Sequence, residues 1–505
     1  MTTARSPWRR VKTVEQSMAD TDDPGTKLKK SLTWWDLTVF GVSVVIGAGI
    51  FTVTVSTAGD KAGPAISLSF VMAAVACAFA ALCYAEFASA VPVAGSAYTF
   101  GYATFGEVLA WILGWDLILE FAVGAAVVSK GWSSYLGTVF GFSGGAVDVG
   151  GWTIDWGAIL IVAVVTTLLV VGTKLSSTVS AVITAIKIGV VLLVIVVGFF
   201  YIKTENFHPY IPPATDSGSD KASVDSTVFS LMTGAGGEHY GWYGVLAAAS
   251  IVFFAFIGFD VVATTAEETK DPAKDVPRGI LTSLAIVTVL YVLVTIVVTG
   301  MVNYKQLATE GGASRNLAYV FGQNGVTWAE KIIAVGALAG LTTVVMVLML
   351  GQSRVLFAMS RDNLLPRGLA KTSRFGTPAR IQILIGVIVA VVAGFFPIDR
   401  LEEMVNVGTL FAFIVVAAGV IVLRRKQPDL PRGFRVPLMP LIPILAILSC
   451  LWLMLNLSAL TWIRFVVWMA IGALVYVFYG MRHSLVGRRD RGEKPETVST
   501  AHSSN

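Results

Sequence analysis

Four ionisable side chains lie in stretches too apolar to solvate them. Asp116 and Glu120 are four residues apart, so on a helix they share one face. Lys187 sits in Thr184-Ala185-Ile186-Lys187-Ile188-Gly189, and Asp260 ends the stretch Phe253-Phe254-Ala255-Phe256-Ile257-Gly258-Phe259-Asp260. A charge at bilayer depth costs at least about 2.5 kcal/mol on insertion scales, so such residues mark interior, functional positions. Lys187 is some ten residues into its run, roughly 15 Å below the surface at helical rise, too deep to snorkel easily. A lysine confined to a low-dielectric cavity can release and retake a proton. A fixed internal counter-charge is its other reading. Glu120 could pair with Lys187, relay a proton or recognise a cationic side chain. Asp260 is a second candidate for handling a proton, or an interior structural acid. Glu86 and Glu267-Glu268 are shallower and read as interfacial caps or inter-helix pairs.

Glycines interrupt two of these stretches. Gly41-Val42-Ser43-Val44-Val45-Ile46-Gly47-Ala48-Gly49-Ile50-Phe51 places Gly47 and Gly49 in the middle of an apolar run. Each glycine weakens a helix by about 1 kcal/mol relative to Ala. Unwinding over Ile46, Gly47, Ala48, Gly49 and Ile50 would free two or three N–H groups. They would open a second half-helix, whose dipole attracts a carboxylate. A close helix crossing would use the same small residues. In the other stretch, unwinding near Ile257 and Gly258 would strip carbonyls of Phe254, Ala255 and Ile257 of their partners and offer them to an ammonium group. Donors at one interruption and acceptors at the other suit the two ends of a zwitterion.

The elements that carry these residues follow from composition. The chain has 505 residues, 55% of them apolar and 14% charged, against roughly 25% charged in soluble domains. Mean hydropathy is +0.74. This describes an all-α integral membrane protein. Apolar runs predict twelve spanning helices at 33–57, 65–91, 106–128, 156–171, 178–202, 245–266, 279–301, 329–350, 379–397, 403–423, 439–457 and 461–480. The first five spans (33–202) and the next five (245–423) place their interruptions alike, in helices 1 and 6. Matching breaks in two repeats are the sequence mark of a transporter site. A polar tail (1–32), a long loop (203–244), two further spans (439–480) and a disordered tail (481–505) complete the chain. Pro272 and Pro277 predict an ordered polar turn over 267–280, not a continuous helix. The six basic residues of 351–380 suit attraction to anionic lipid.

Alternate loops carry 27 of the 37 Lys and Arg, and the opposite loops six, which places both termini in the cytoplasm. That asymmetry accounts for the net charge of +5 without nucleic acid. No cleaved signal peptide is expected. No Walker A, HExxH or GxSxG occurs, and the three cysteines, Cys77, Cys83 and Cys450, have no metal-ligand spacing. The expectation is no enzyme, no metal and no cofactor besides a coupling proton.

Several strings together resemble the amino acid–polyamine–organocation superfamily over about residues 28–480. They are Ile46-Gly47-Ala48-Gly49-Ile50-Phe51, Tyr84-Ala85-Glu86-Phe87 with Pro92…Gly95-Ser96-Ala97-Tyr98, and Phe254-Ala255-Phe256-Ile257-Gly258-Phe259-Asp260 with Glu267-Glu268 and Pro272…Pro277. Leu119-Glu120-Phe121-Ala122-Val123-Gly124 with Trp132-Ser133, and Ser353-Arg354…Ala358-Met359-Ser360-Arg361-Asp362, are similar to the cationic amino acid transporter group within it. The resemblance implies a leucine-transporter-like inverted repeat of five plus five helices with helices 11 and 12 added. It implies that amides near Ala48 and Gly49 hold a substrate carboxylate, that carbonyls of Phe254, Ala255 and Ile257 hold its ammonium, and that Phe254 is a lid. It places Lys187 where sodium sits in sodium-coupled relatives, which implies proton coupling. Ala48 departs from members that carry a hydroxyl there, removing one side-chain bond to substrate.

The expected function is proton-coupled symport of α-amino acids across the plasma membrane, a bacterial inner membrane. An exchanger of amino acids or polyamines is the alternative, and a non-transporting nutrient sensor a distant third. The side-chain pocket is expected from spans 3, 6 and 8, with Glu120, Gly336, Gly340 and Thr343. The expected partners are an amino acid, a proton and the bilayer, with a small partner subunit left open.

Overall fold

The computed structural model describes residue 10 and residues 31–91, 96–141, 145–149, 152–172, 177–216, 224–234, 238–308, 315–371, 373 and 377–490. Pro92 and Gly95 of the quoted strings, most of the 1–32 tail and residues 491–505 lie outside them. The principal helices are α1 (Trp34–Val45), α2 (Ile66–Ala90), α3 (Glu107–Phe140), α4 (Trp156–Val171), α5 (Ser177–Phe199) and α6 (Gly241–Val252). They continue as α7 (Pro272–Met301), α8 (Thr327–Arg361), α9 (Ala379–Phe395), α10 (Ile398–Lys426), α11 (Leu441–Leu455) and α12 (Ala459–Val475). Among the described residues, eight helical segments are long and apolar enough to cross a membrane, and four further apolar helices are shorter.

Local chemistry sets several ends. Thr33 and Asp36 form a reciprocal capping box at the start of α1. Asp155 caps α4, and Gly172, at φ +83°, closes it in the left-handed region open to glycine. α3 lies against α8 and α10, α7 against α1 and α2, and α9 against α4. The start of α1 is stitched to the segment before α7: Ser31 and Leu32 amides donate to Glu268 O at 2.9 and 3.0 Å, and Lys270 N donates to Leu32 O at 2.9 Å. Among the described residues, strands form two short antiparallel ladders, β1 (Ala146–Val149) with β2 (Trp152–Asp155) and β3 (Thr215–Asp216) with β4 (Glu238–His239).

The structure corrects four sequence expectations. The 267–280 stretch is not a turn throughout, because α7 starts at Pro272 and contains Pro277. Proline at the first helical position forfeits an N–H that had no acceptor, and Pro277 removes one bond in the second turn. α3 runs twelve residues beyond the expected end at 128. Lys130 does not stop it, because its Nζ reaches Asp155 Oδ2 at 3.4 Å and donates to Ala393 O at 3.1 Å. The basic 351–380 loop begins as helix, since α8 continues to Arg361. The disordered tail expected from 481 is helical over Met481–His483 and Leu485–Asp490. Buried Glu107 fastens it there, accepting bonds from Ser484 Oγ, from Tyr476 Oη at 2.8 Å and from Arg10 Nη1 at 3.2 Å.

Candidate functional site

The regular helix of α1 stops at Val45. Ile46 adopts an extended ψ of 90° and its N–H bonds back to Val42 O at 3.0 Å. Gly47 is not helical, and the chain winds again as a wide turn over Gly49–Val53. Phe51 N–H returns to Gly47 O at 3.3 Å, and the amides of Gly47, Ala48, Gly49 and Ile50 are left without an acceptor in the preceding turn. The carbonyls on the other side of this interruption are claimed by side chains. Lys187 Nζ donates to Ser43 O and Tyr291 Oη to Val45 O, each at 2.7 Å. A cation at a helix C-terminus is stabilised by the helix dipole.

After α6 the chain tightens into a turn over Phe253–Phe256, becomes extended at Ile257 (ψ 137°) and resumes at Asp260. Gly258 has φ +116°, and a Cβ there would lie 2.7 Å from Val44 Cγ1, so both backbone and space require glycine. The Phe254 carbonyl is not free, which corrects the expectation: Ile257 N–H bonds to it at 3.2 Å. Ala255 O and Ile257 O receive no backbone donor in this turn. A Cβ on Gly49 would overlap the backbone of Ala255, so the two interruptions touch main chain to main chain.

Beside that contact lies a small cavity. It brings together Gly47, Ala48, Gly49, Phe254, Ile257 and Glu120 of the expected residues. Ile46, Ile50, Ala255 and Gly258 are buried in the interruptions without lining it. Gly336, Gly340 and Thr343 do not line it either. Gly336 makes room for Val190 of α5, Gly340 for the Lys187 stem, and Thr343 Oγ1 donates to Gly340 O at 2.7 Å. Small residues of α8 serve its crossing with α5, and Val344 and Leu348 present the cavity face instead.

The cavity lining missed by sequence reasoning is apolar: Val44, Val45, Gly124, Val128, Val344, Leu348 and Val405. Its signal was a spacing of four, Glu120-Gly124-Val128 on α3 and Val344-Leu348 on α8, which lines one face of a helix. Glu120 Oε1 is buried with no hydrogen-bond partner, as are both oxygens of Asp116 and Oδ1 of Asp260. Lys187 is 0% exposed and makes no ion pair with a carboxylate among the described residues. The structure therefore brings neither Glu120 nor Asp260 to Lys187. Asp260 opens the turn Asp260–Glu268, away from the cavity lining.

Against known proteins, a profile of amino acid permeases matches residues 32–478, nearly the whole chain. The chain belongs to the amino acid permease family. This permease is 43% identical over 487 residues to the branched-chain amino acid permease BcaP of Bacillus subtilis, covering 94% of this chain and 98% of the relative. It is 41% identical to the methylthioribose transporter of the same organism, over 91% and 95%. It is 37% identical to the vacuolar cationic amino acid transporter 4 of Arabidopsis thaliana, over 81% and 65%. The family places it among multi-pass membrane proteins of amino acid transport, as the resemblance implied, and its relatives are transporters, not enzymes.

Proposed function

We propose that this permease is a secondary active importer that couples proton entry to uptake of α-amino acids with aliphatic side chains, by alternating access. The observation that carries the reading is the aliphatic cavity set against two touching main-chain interruptions, one with free amides and one with free carbonyls. The amides of Ala48 and Gly49 hold the carboxylate. The carbonyls of Ala255 and Ile257 take the ammonium. Val128, Val344, Leu348 and Val405 enclose the side chain, and Phe254 covers it. Small ligands in mostly apolar sites are oriented by a few convergent polar groups, as here.

In this reading the proton acts on Lys187. Charged, it holds Ser43 O and fixes the last turn of α1. Neutral, it loses that charge–dipole attraction, and α1 is released. Twelve spans, five plus five related by inversion with two added, and both termini in the cytoplasm complete the proposal, with the plasma membrane as location.

A second reading is exchange of cationic amino acids or polyamines. Glu120 supports it, as a cavity-lining carboxylate whose Oε1 lacks a partner. Uptake into proteoliposomes with an imposed pH gradient separates the two. Symport requires that leucine or valine enter empty vesicles in proportion to the gradient. Uptake that ignores the gradient and needs internal substrate favours the exchanger.

A further inference from the structure

The loop between α10 and α11 gathers more guanidinium than it neutralises. Glu86, at the end of α2, is buried and takes Arg424 Nε at 2.7 Å, Arg424 Nη2 and the Val436 amide at 2.7 Å. Arg432, whose side chain is 3% exposed, brings Nε to 3.4 Å from the same carboxylate. That is ion-pair range, yet Nε makes no hydrogen bond. The rest of its fork is spent on the carbonyls of Gln427, Pro428 and Leu430. Arg424 and Arg435 both press on the charge of Arg432. One carboxylate thus serves two guanidinium groups, and Arg425, Lys426 and Arg435 are exposed beside them. Nearby acids are committed or solvated. Asp271 pairs with Lys274 at 3.4 Å, Asp275 stands in the first turn of α7, whose dipole favours it, and Asp429 is exposed.

The same loop is apolar on its other edge. Leu438, at φ +47°, is 69% exposed. Beyond it Leu441, Ile444, Leu448 and Leu451 are exposed at spacings of three and four, one outward stripe of α11. A free anion would use the guanidinium groups and leave the stripe uncovered. A molecule with a phosphate head and acyl chains uses both, because arginine forks match phosphate oxygens and the stripe matches hydrocarbon.

We propose that the 424–441 loop is a binding site for an anionic phospholipid, with the headgroup phosphate on Arg425 and Arg435 and an acyl chain along Leu438, Leu441 and Ile444. The lipid supplies the anion that Glu86 alone does not, and so braces α2, α10 and α11 together. This goes beyond the transport reading and stands without it.

The test uses the full-length protein, delipidated in detergent and titrated with phosphatidylglycerol, phosphatidylcholine of the same acyl length, and inorganic phosphate. Thermal midpoint and native mass spectrometry are the readouts. Phosphatidylglycerol should bind and raise the midpoint well above phosphatidylcholine. The R425Q/R435Q double variant should bind it about thirtyfold more weakly, the effect of two basic groups at a membrane surface, with an unchanged midpoint in lipid-free micelles. Equal responses to the two lipids, or a double variant that keeps the preference, would overturn the proposal. A phosphate response equal to that of phosphatidylglycerol would assign the site to free phosphate and also overturn it. Should the double variant not fold, phosphatidylglycerol must still slow phenylglyoxal modification of Arg425 and Arg435 in the unaltered protein. No protection ends the idea.

Discussion

The two interruptions that meet at Gly49 and Ala255 are built differently. At the first, the carbonyls left at the end of α1 are taken by side chains from α5 and α7, Lys187 and Tyr291, and the amides beyond are left over. At the second, the last carbonyls of α6 are taken by one neutral amide: Asn406 Nδ2 donates to Ser250 O at 2.8 Å and to Ile251 O at 3.2 Å. A tight turn consumes the Phe254 carbonyl, Gly258 at φ +116° redirects the chain, and acceptors are left over. The first break is thus held in part by a side chain that can be titrated, and the second by a neutral amide and by backbone geometry. Control belongs to the first and shape to the second.

The largest effect expected from breaking this arrangement is at the contact itself. Gly49→Ala should cost about 2–4 kcal/mol, because the new methyl overlaps backbone that cannot move aside. Gly47→Ala meets nothing closer than Val344, at 3.5 Å, and should cost under about 1 kcal/mol. Thermal unfolding of the pair in detergent measures the contrast, and equal losses would mean the breaks are not in contact. Next, Lys187→Met should abolish gradient-driven uptake in proteoliposomes while amino acid binding persists in a thermal-shift assay. Preserved gradient dependence would remove control from the first break. Tyr291→Phe leaves Val45 O without its donor and should cost about 1–3 kcal/mol, visible in the same unfolding scan.

Smaller effects sharpen the shape side. Leu348→Ala should weaken leucine more than alanine, by about fourfold per methylene that loses its contact, from about 0.8 kcal/mol each. Glu120→Gln should change leucine affinity by less than about threefold if the pocket is aliphatic. A tenfold loss of lysine binding with leucine unaffected would move the assignment to the cationic reading.

The membrane class and the family were legible because long apolar runs and the Gly47–Gly49 and Phe254–Asp260 strings are local signals. Which groups face the cavity was not. Gly336 and Gly340 looked like room for a ligand, yet they make room for Val190 and Lys187. A glycine reports only that something approaches, not what. The third span was expected to end at 128, yet α3 runs on past Lys130, whose Nζ finds a carbonyl on α9, and Pro277 looked like a terminator until α7 absorbed it. For the glycines and for Lys130 the partner lies far along the chain, where no spacing rule reaches.

Three main-chain bonds join Ser31 and Leu32 to Glu268 and Lys270. They tie the lead-in of one interrupted helix to the exit of the other. That side of the cavity consequently cannot part as two independent leaves. Under the proposed alternating access it would swing as one door, so that wedging either half-helix would jam both.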